Sequence, residues 1–216
     1  NRLRITPSFI PNLFTLMNMF CGFLSIINAS KGNYNYAAWL IIIAAIFDAL
    51  DGAVARLTNS SSKLGVELDS LSDVVSFGAA PSFLMYSTHL HPMGAVGIII
   101  SSLLMLAGGF RLARFNIQLV GFTKNYFSGL PIPSSAITIV AFVLAFHTAS
   151  GFYEPYSSFV IPLILLLSFL MISKIRYDAI PKISLKALKE KPVHVAVILA
   201  AIVLLIFTSY EGLFYI

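Results

Sequence analysis

The chain has 216 residues, 58% of them apolar and only 11% charged, whereas a soluble domain is nearer half apolar and about a quarter charged. That composition excludes an ordinary soluble fold, because there is too little polar surface to face water, and it makes lipid the solvent. A net charge of +5 raises nucleic acid as a partner, but the basic residues lie in short stretches between apolar runs rather than along one stripe, which argues against it.

Crossing about 30 Å of hydrocarbon takes about 20 apolar residues. Seven stretches qualify, near residues 12–29, 36–57, 66–89, 93–117, 131–149, 157–173 and 193–209. The first contains Cys21, the single cysteine, which permits no intrachain disulfide and reads as small packing filler. It is not a cleaved signal peptide, since Asn28-Ala29-Ser30-Lys31 lacks the small-residue cleavage pattern. Asn1 in place of an initiator Met leads us to expect further residues upstream. Asn12 and Thr15 open this span with uncharged donors able to reach a phosphate.

The second span ends on Asp48 and Asp51, spaced i, i+3, and the third begins with Asp69 and Asp73, spaced i, i+4. Either spacing puts both carboxylates on one helix face. The short loop from Leu57 to Gly65 makes the two helices antiparallel neighbours, so the four acids can converge. Between the third and fourth spans, His89 and His91 have the spacing of a transition-metal pair, but lie at the end away from the aspartates. The fourth span closes with Arg111 and Arg114, i and i+3, able to hold a carboxylate or a phosphate; Asn116 and Lys124 follow on the same side. Phe127–Pro133, with Pro131 and Pro133, reads as a rigid turn near an acceptor pocket. His147 and His194 sit singly near span ends as interface residues.

Beyond the sixth span, Pro181–Pro192 carries Lys182, Lys186, Lys189 and Lys191. It reads either as a short amphipathic helix on an anionic surface or as a solvated loop. The tail Glu211–Ile216 either opens an eighth span or rests at the interface. The expected fold is therefore all-α, a polytopic transmembrane bundle of seven to eight spans in a single domain, 1–216, without internal repeats.

The loops orient it. With Arg2 and Arg4 in the cytoplasm, Arg56, Lys63, Arg111, Arg114, Lys124, Lys174, Arg176, Lys182, Lys186, Lys189 and Lys191 fall on that side and only Lys31 falls outside, a bias of 13 to 1. Tyr34, Tyr36, Trp39, Tyr153 and Tyr156 supply the aromatic belt on the outer face. The aspartates thus face the cytoplasm.

Four of the nine acidic residues in the chain are Asp48, Asp51, Asp69 and Asp73. An Asp at mid-membrane costs about 3 kcal/mol, so four would cost on the order of 10 kcal/mol before mutual repulsion. Arg56 alone cannot neutralise them. Divalent cations can, and hard carboxylate oxygens suit Mg²⁺, Mn²⁺ or Ca²⁺. Gly52 and Ala55 leave room beside the first pair for a ligand to approach the backbone, and Gly65 starts the third helix. A proton or ion pathway is the alternative use of intramembrane acids, but it predicts acids spread over several spans rather than gathered at one end of two.

The string Asp48-x2-Asp51-Gly52-x2-Ala55-Arg56-x8-Gly65-x3-Asp69-x3-Asp73 resembles, at every fixed position, the signature of the CDP-alcohol phosphatidyltransferases. The resemblance implies that Asp48, Asp51 and Asp69 bind divalent metals, two ions of Mg²⁺ or Mn²⁺, with Ca²⁺ also compatible. It implies that Asp73 helps hold metal and acts as general base, and that Gly52, Ala55 and Arg56 contact the CDP moiety. Asn12, Thr15 and Gly65 complete the expected CDP-diacylglycerol site. A core of six helices and a homodimer are also expected of this family. Pro11-Asn12-Leu13-Phe14-Thr15, Asp69-Ser70-Leu71-Ser72-Asp73, Gly109-Phe110-Arg111-Leu112-Ala113-Arg114-Phe115-Asn116 and Gly129-Leu130-Pro131-Ile132-Pro133 further resemble the bacterial and archaeal phosphatidylserine synthases. That implies L-serine as acceptor, held by Arg111, Arg114 and Asn116, at a multi-pass cell-membrane protein whose site opens to the cytoplasm. Glycerol 3-phosphate and inositol phosphate are the alternative acceptors.

Overall fold

The structure, a computed structural model, describes residues 9–58, 62–119, 126–148 and 151–178. The expected seventh span, the tail Glu211–Ile216, the basic loop 181–192, Lys124, His194, Arg2 and Arg4 lie outside the described residues. Seven α-helices follow in order: α1 (Phe9–Ser30), α2 (Tyr34–Leu57), α3 (Lys63–Asp73), α4 (Ala80–Met85), α5 (Ala95–Leu119), α6 (Ile132–Phe146) and α7 (Val160–Ile172). Among the described residues three helical stretches, Ile10–Ser30, Tyr34–Leu57 and Ala95–Ile117, are long and apolar enough to cross a membrane. The first six expected spans correspond to helical segments.

The third span is one helical rod built from four pieces. Wider π turns at Val74–Ala79 and Tyr86–Leu90 follow α3 and α4 respectively. Both have the same cause. Ala80 N–H bonds Val75 O and His91 N–H bonds Tyr86 O, and each donor directly precedes a proline, Pro81 or Pro92. Proline cannot donate to the ladder and crowds the preceding turn, so the chain takes in one extra residue there instead of breaking.

Helices α1 and α2 form an antiparallel hairpin turned by Lys31–Asn33, with Gly32 at φ +81°. Ser25 Oγ donates to Ala37 O across it at 2.8 Å. α1 runs parallel to the third rod, tied by Ser72 Oγ to Thr15 O at 3.0 Å and by Ser76 Oγ to Asn18 O at 2.8 Å. Gly22 allows this approach: a Cβ there would lie 2.6 Å from Ser76 Cα. Small residues and hydroxyl-to-carbonyl bonds of this kind replace the hydrophobic effect as helix glue in lipid. α6 packs on α2 and buries Ile132, Ala136, Ile139, Val140 and Val143, with Ile132 set against Gly78 and Gly108, and α5 packs on α7.

Two details differ from the expectation. The helix of the fifth expected span, α6, ends at Phe146, because His147–Thr148 pairs with Gly151–Phe152 in a small antiparallel hairpin, β2 with β3. A second pair joins β1 (Tyr126–Ser128) to β4 (Arg176–Asp178), so the described chain is mostly rather than wholly helical. At the end away from the aspartates, His147 packs edge-on against Tyr34 and Phe152, while His89 packs on Phe152 and His91 on Tyr86. The H-x-H pair therefore points its two rings at different aromatic partners.

Candidate active site

The last three turns of α2 carry Asp48 and Asp51, and α3 carries Asp69 and Asp73. The link between them is set by Ser62, which caps α3 by accepting the Gly65 N–H at 2.9 Å. One carboxylate oxygen each from Asp48, Asp51 and Asp69 lies within 4.8 Å of the others. The fourth acid, Asp73, is one turn deeper and within hydrogen-bonding reach of Asp48. Asp51 and Asp73 are buried at 6% and 8% exposure, so their charges cannot be dispersed by water.

This donor set fits divalent cations. Three convergent carboxylates offer only hard oxygen ligands. The Oδ1 atom of Asp69 is buried without a hydrogen-bond partner, which for a carboxylate is costly unless a cation satisfies it.

An open groove of about 450 Å³ adjoins the acids, lined by Asn12, Thr15, Asp51, Gly52, Ala55 and Gly65 among others. Gly65 is dictated by space. A Cβ on Gly65 would sit 3.1 Å from Ser62 Oγ and 3.2 Å from Asn12 Oδ1, narrowing the groove where α1 and α3 meet. Five of the six residues expected to bind the nucleotide lipid are thus brought to one groove. The sixth, Arg56, is exposed on the final turn of α2, outside the groove lining but with Nη1 3.4 Å from where a Gly52 Cβ would be.

Thr15 has a different part from the one its position suggested. Its hydroxyl donates to Asp51 Oδ2 at 2.7 Å, so in this structure it orients a carboxylate rather than offering a free donor to phosphate. Arg111 and Arg114 also part company. Arg111 is buried at 6% exposure beside Asp73, with its guanidinium 5.8 Å from the Phe115 ring centroid. Arg114 turns to the C-terminus of α7 and donates to Ile172 O at 2.8 Å, Ser173 O at 3.1 Å and Met171 O at 3.4 Å. Cations there satisfy the last carbonyls of a helix and oppose its negative dipole end. The turn near Pro131 joins the same junction: Gly129, at φ +85°, donates to Ile175 O, and Leu130 to Leu170 O. It packs on α7 rather than on the aspartates. Asn116 donates to Ser70 Oγ at 2.9 Å, tying α5 to α3 next to Asp69.

Several participants escaped the sequence reading: the cap Ser62, the rungs Ser72 and Ser76, and Asn18, buried completely on α1. The signal for Asn18 was present, since Asn12, Thr15 and Asn18 form a polar stripe at i, i+3 and i+6 in an otherwise apolar span.

A family model described as CDP-alcohol phosphatidyltransferase matches residues 8–170. The CDP-diacylglycerol–serine O-phosphatidyltransferase of Helicobacter pylori strain 26695 is 42% identical over 184 residues, spanning 83% of this chain and 76% of that protein. The archaetidylserine synthase of Methanothermobacter thermautotrophicus is 42% identical over 173 residues, spanning 79% and 70%. The CDP-diacylglycerol–serine O-phosphatidyltransferase of Bacillus subtilis is 35% identical over 181 residues, spanning 81% and 93%. In fold, the chain is similar to the crystal structure of the phosphatidylinositol phosphate synthase of Mycobacterium tuberculosis with CDP-DAG bound, at a TM-score of 0.59 and 19% identity over 79% of this chain and 84% of that one. The chain belongs to the CDP-alcohol phosphatidyltransferase family.

Proposed function

We propose that the protein transfers the phosphatidyl group of CDP-diacylglycerol to the hydroxyl of L-serine, giving phosphatidylserine and CMP. The observation that carries this reading is the gathering of Asp48, Asp51 and Asp69 within 4.8 Å of one another beside a groove lined by Gly52, Ala55 and Gly65, with Arg111 next to Asp73. The serine-specific names of the relatives support the acceptor. Divalent cations, Mg²⁺ or Mn²⁺, bound by the four aspartates would neutralise the pyrophosphate and stabilise the leaving phosphate of CMP.

The residues divide the remaining work. Asn12, Gly52, Ala55 and Gly65 admit the nucleotide, and Thr15 fixes the rotamer of Asp51. Arg56, at the groove mouth, offers a planar fork to a phosphate oxygen. Asp73 accepts the proton of the serine hydroxyl as its oxygen attacks the phosphorus bearing diacylglycerol. The new O–P bond forms as the bond to the CMP oxygen breaks, and CMP departs. Arg111, already desolvated and beside Asp73, binds the serine carboxylate and so brings the hydroxyl to the base. Arg114 and Asn116 hold α7 and α3 in place around it.

Seven to eight spans in one domain over 1–216, a six-helix core, a cytoplasm-facing site and a homodimer complete the proposal, supported by the charge bias of the loops and by the family. The acyl chains would remain in the bilayer while the head group enters the groove.

The deciding experiment measures CMP release by the purified protein with CDP-diacylglycerol and serine, glycerol 3-phosphate or inositol phosphate. We expect release with serine. Release with another acceptor alone would correct the substrate, and ion flux in proteoliposomes without CMP release would replace the enzyme by a transporter. Arg111→Ala should raise the serine KM by about 10–100-fold, the loss of a charge-assisted contact of about 1.5–3 kcal/mol, with the CDP-diacylglycerol KM nearly unchanged. An unchanged serine KM would remove Arg111 from the acceptor site.

A further inference from the structure

One polar side chain at the heart of this site has no part in the reaction as drawn. Asn18 is fully buried at 0% exposure, and neither its amide nitrogen nor its amide oxygen has a hydrogen-bond partner. An orphaned buried amide opposes folding, and a leucine of similar volume would remove that opposition.

The packing places Asn18 at the level of the acids. Across the antiparallel hairpin, Thr15 meets Asp51. Three residues onward in α1 and three residues back in α2 bring Asn18 level with Asp48. Across the parallel pair, the bonds Ser72–Thr15 and Ser76–Asn18 bracket Asp73. Side chains on a helix lean toward its N-terminus, which carries the Asn18 amide from its own rung toward the rung adjoining Asp73. There, Asp73 Oδ1 is likewise buried and without a hydrogen-bond partner. A buried donor and a buried acceptor, each unsatisfied, thus occupy one level of the same helix junction.

We infer that Asn18 is the positioning residue for Asp73. Across one internal water, its amide supplies the hydrogen bond that Asp73 Oδ1 lacks and leaves the other carboxylate oxygen to face the acceptor hydroxyl. A bridging water needs two to four polar partners, and the amide nitrogen, the amide oxygen and the carboxylate supply them. This inference rests on Asp73 being the base. It accounts for an amide kept where stability alone would favour an aliphatic residue.

The test uses the full-length protein carrying Asn18→Leu, with Asp73→Asn as reference. Serine-dependent CMP release is measured against both substrates, together with the thermal midpoint. We expect kcat to fall about 100-fold, as misplacement of a catalytic group by about 1 Å can do, with both KM values within about threefold and Tm equal to or above that of the parent. A filler role predicts the reverse, a lowered Tm with parental kcat, and that result would overturn the inference. If Leu prevents folding, Asn18→Ala takes its place, and parental kcat in that folded variant overturns it equally. Should Asp73→Asn itself keep parental kcat, the base assignment falls; an inactive Asp73→Asn beside a fully active Asn18→Leu removes Asn18 alone.

Discussion

Asp73→Asn should abolish serine-dependent CMP release almost completely, by about 10²–10⁴-fold in kcat, the usual worth of a positioned base and about 3–5 kcal/mol of barrier. The amide preserves the volume of the side chain but cannot take a proton. Because Asp73 stands one turn below the cluster of Asp48, Asp51 and Asp69, away from the groove lining, the KM for CDP-diacylglycerol should move little. A steady-state comparison over both substrates separates the effects. A variant whose kcat is unchanged, or whose loss appears only as a raised CDP-diacylglycerol KM, would take the base role away from Asp73.

Chelation should have an effect as large. With EDTA, CMP release should cease, and Mn²⁺ or Mg²⁺ should restore it. The same cations should raise the thermal midpoint of the resting protein, because a ligand that binds only the folded state stabilises it by about 2.7 kcal/mol at 100 times its Kd. The sign follows from the site. The buried Oδ1 of Asp69 has no hydrogen-bond donor, so the folded protein bears its repulsion with the neighbouring carboxylates until a cation relieves it. Asp51→Asn should lower both the activity and the Mn²⁺-induced rise in Tm. A protein that releases CMP in EDTA and whose Tm ignores Mn²⁺ would overturn the cation reading.

Much of this was legible in the residues because lipid makes polar groups conspicuous. An aspartate in an apolar span is expensive enough to require a purpose, so the convergence of Asp48, Asp51 and Asp69 could be read from spacing and a short loop. The helical stretches of the first six expected spans were legible in the same apolar runs. The fate of individual donors was harder to read. Arg111 and Arg114 share a helix face at i, i+3, yet one is buried beside Asp73 and the other grips the carbonyl end of α7. Only the position of α7, a tertiary fact, separates them. Thr15 had two acceptors within reach in principle, a phosphate or a carboxylate, and the packing of α1 on α2 chooses Asp51. The π turns were invisible because one inserted residue leaves no mark on composition, in Val74–Ala79 or in the more polar Tyr86–Leu90. The prolines at 81 and 92 were their only trace.

The rungs from α1 to its neighbours also bear on how the protein is made. Thr15 to Asp51, Ser72 to Thr15 and Ser76 to Asn18 all join residues no further along the chain than Ser76, and every residue lining the groove belongs to the same stretch. The acidic chamber can therefore close as soon as three helices have left the ribosome and entered the bilayer. Arg111 comes later in synthesis, so the chamber for the nucleotide lipid is complete before the proposed anchor for the second substrate has been translated.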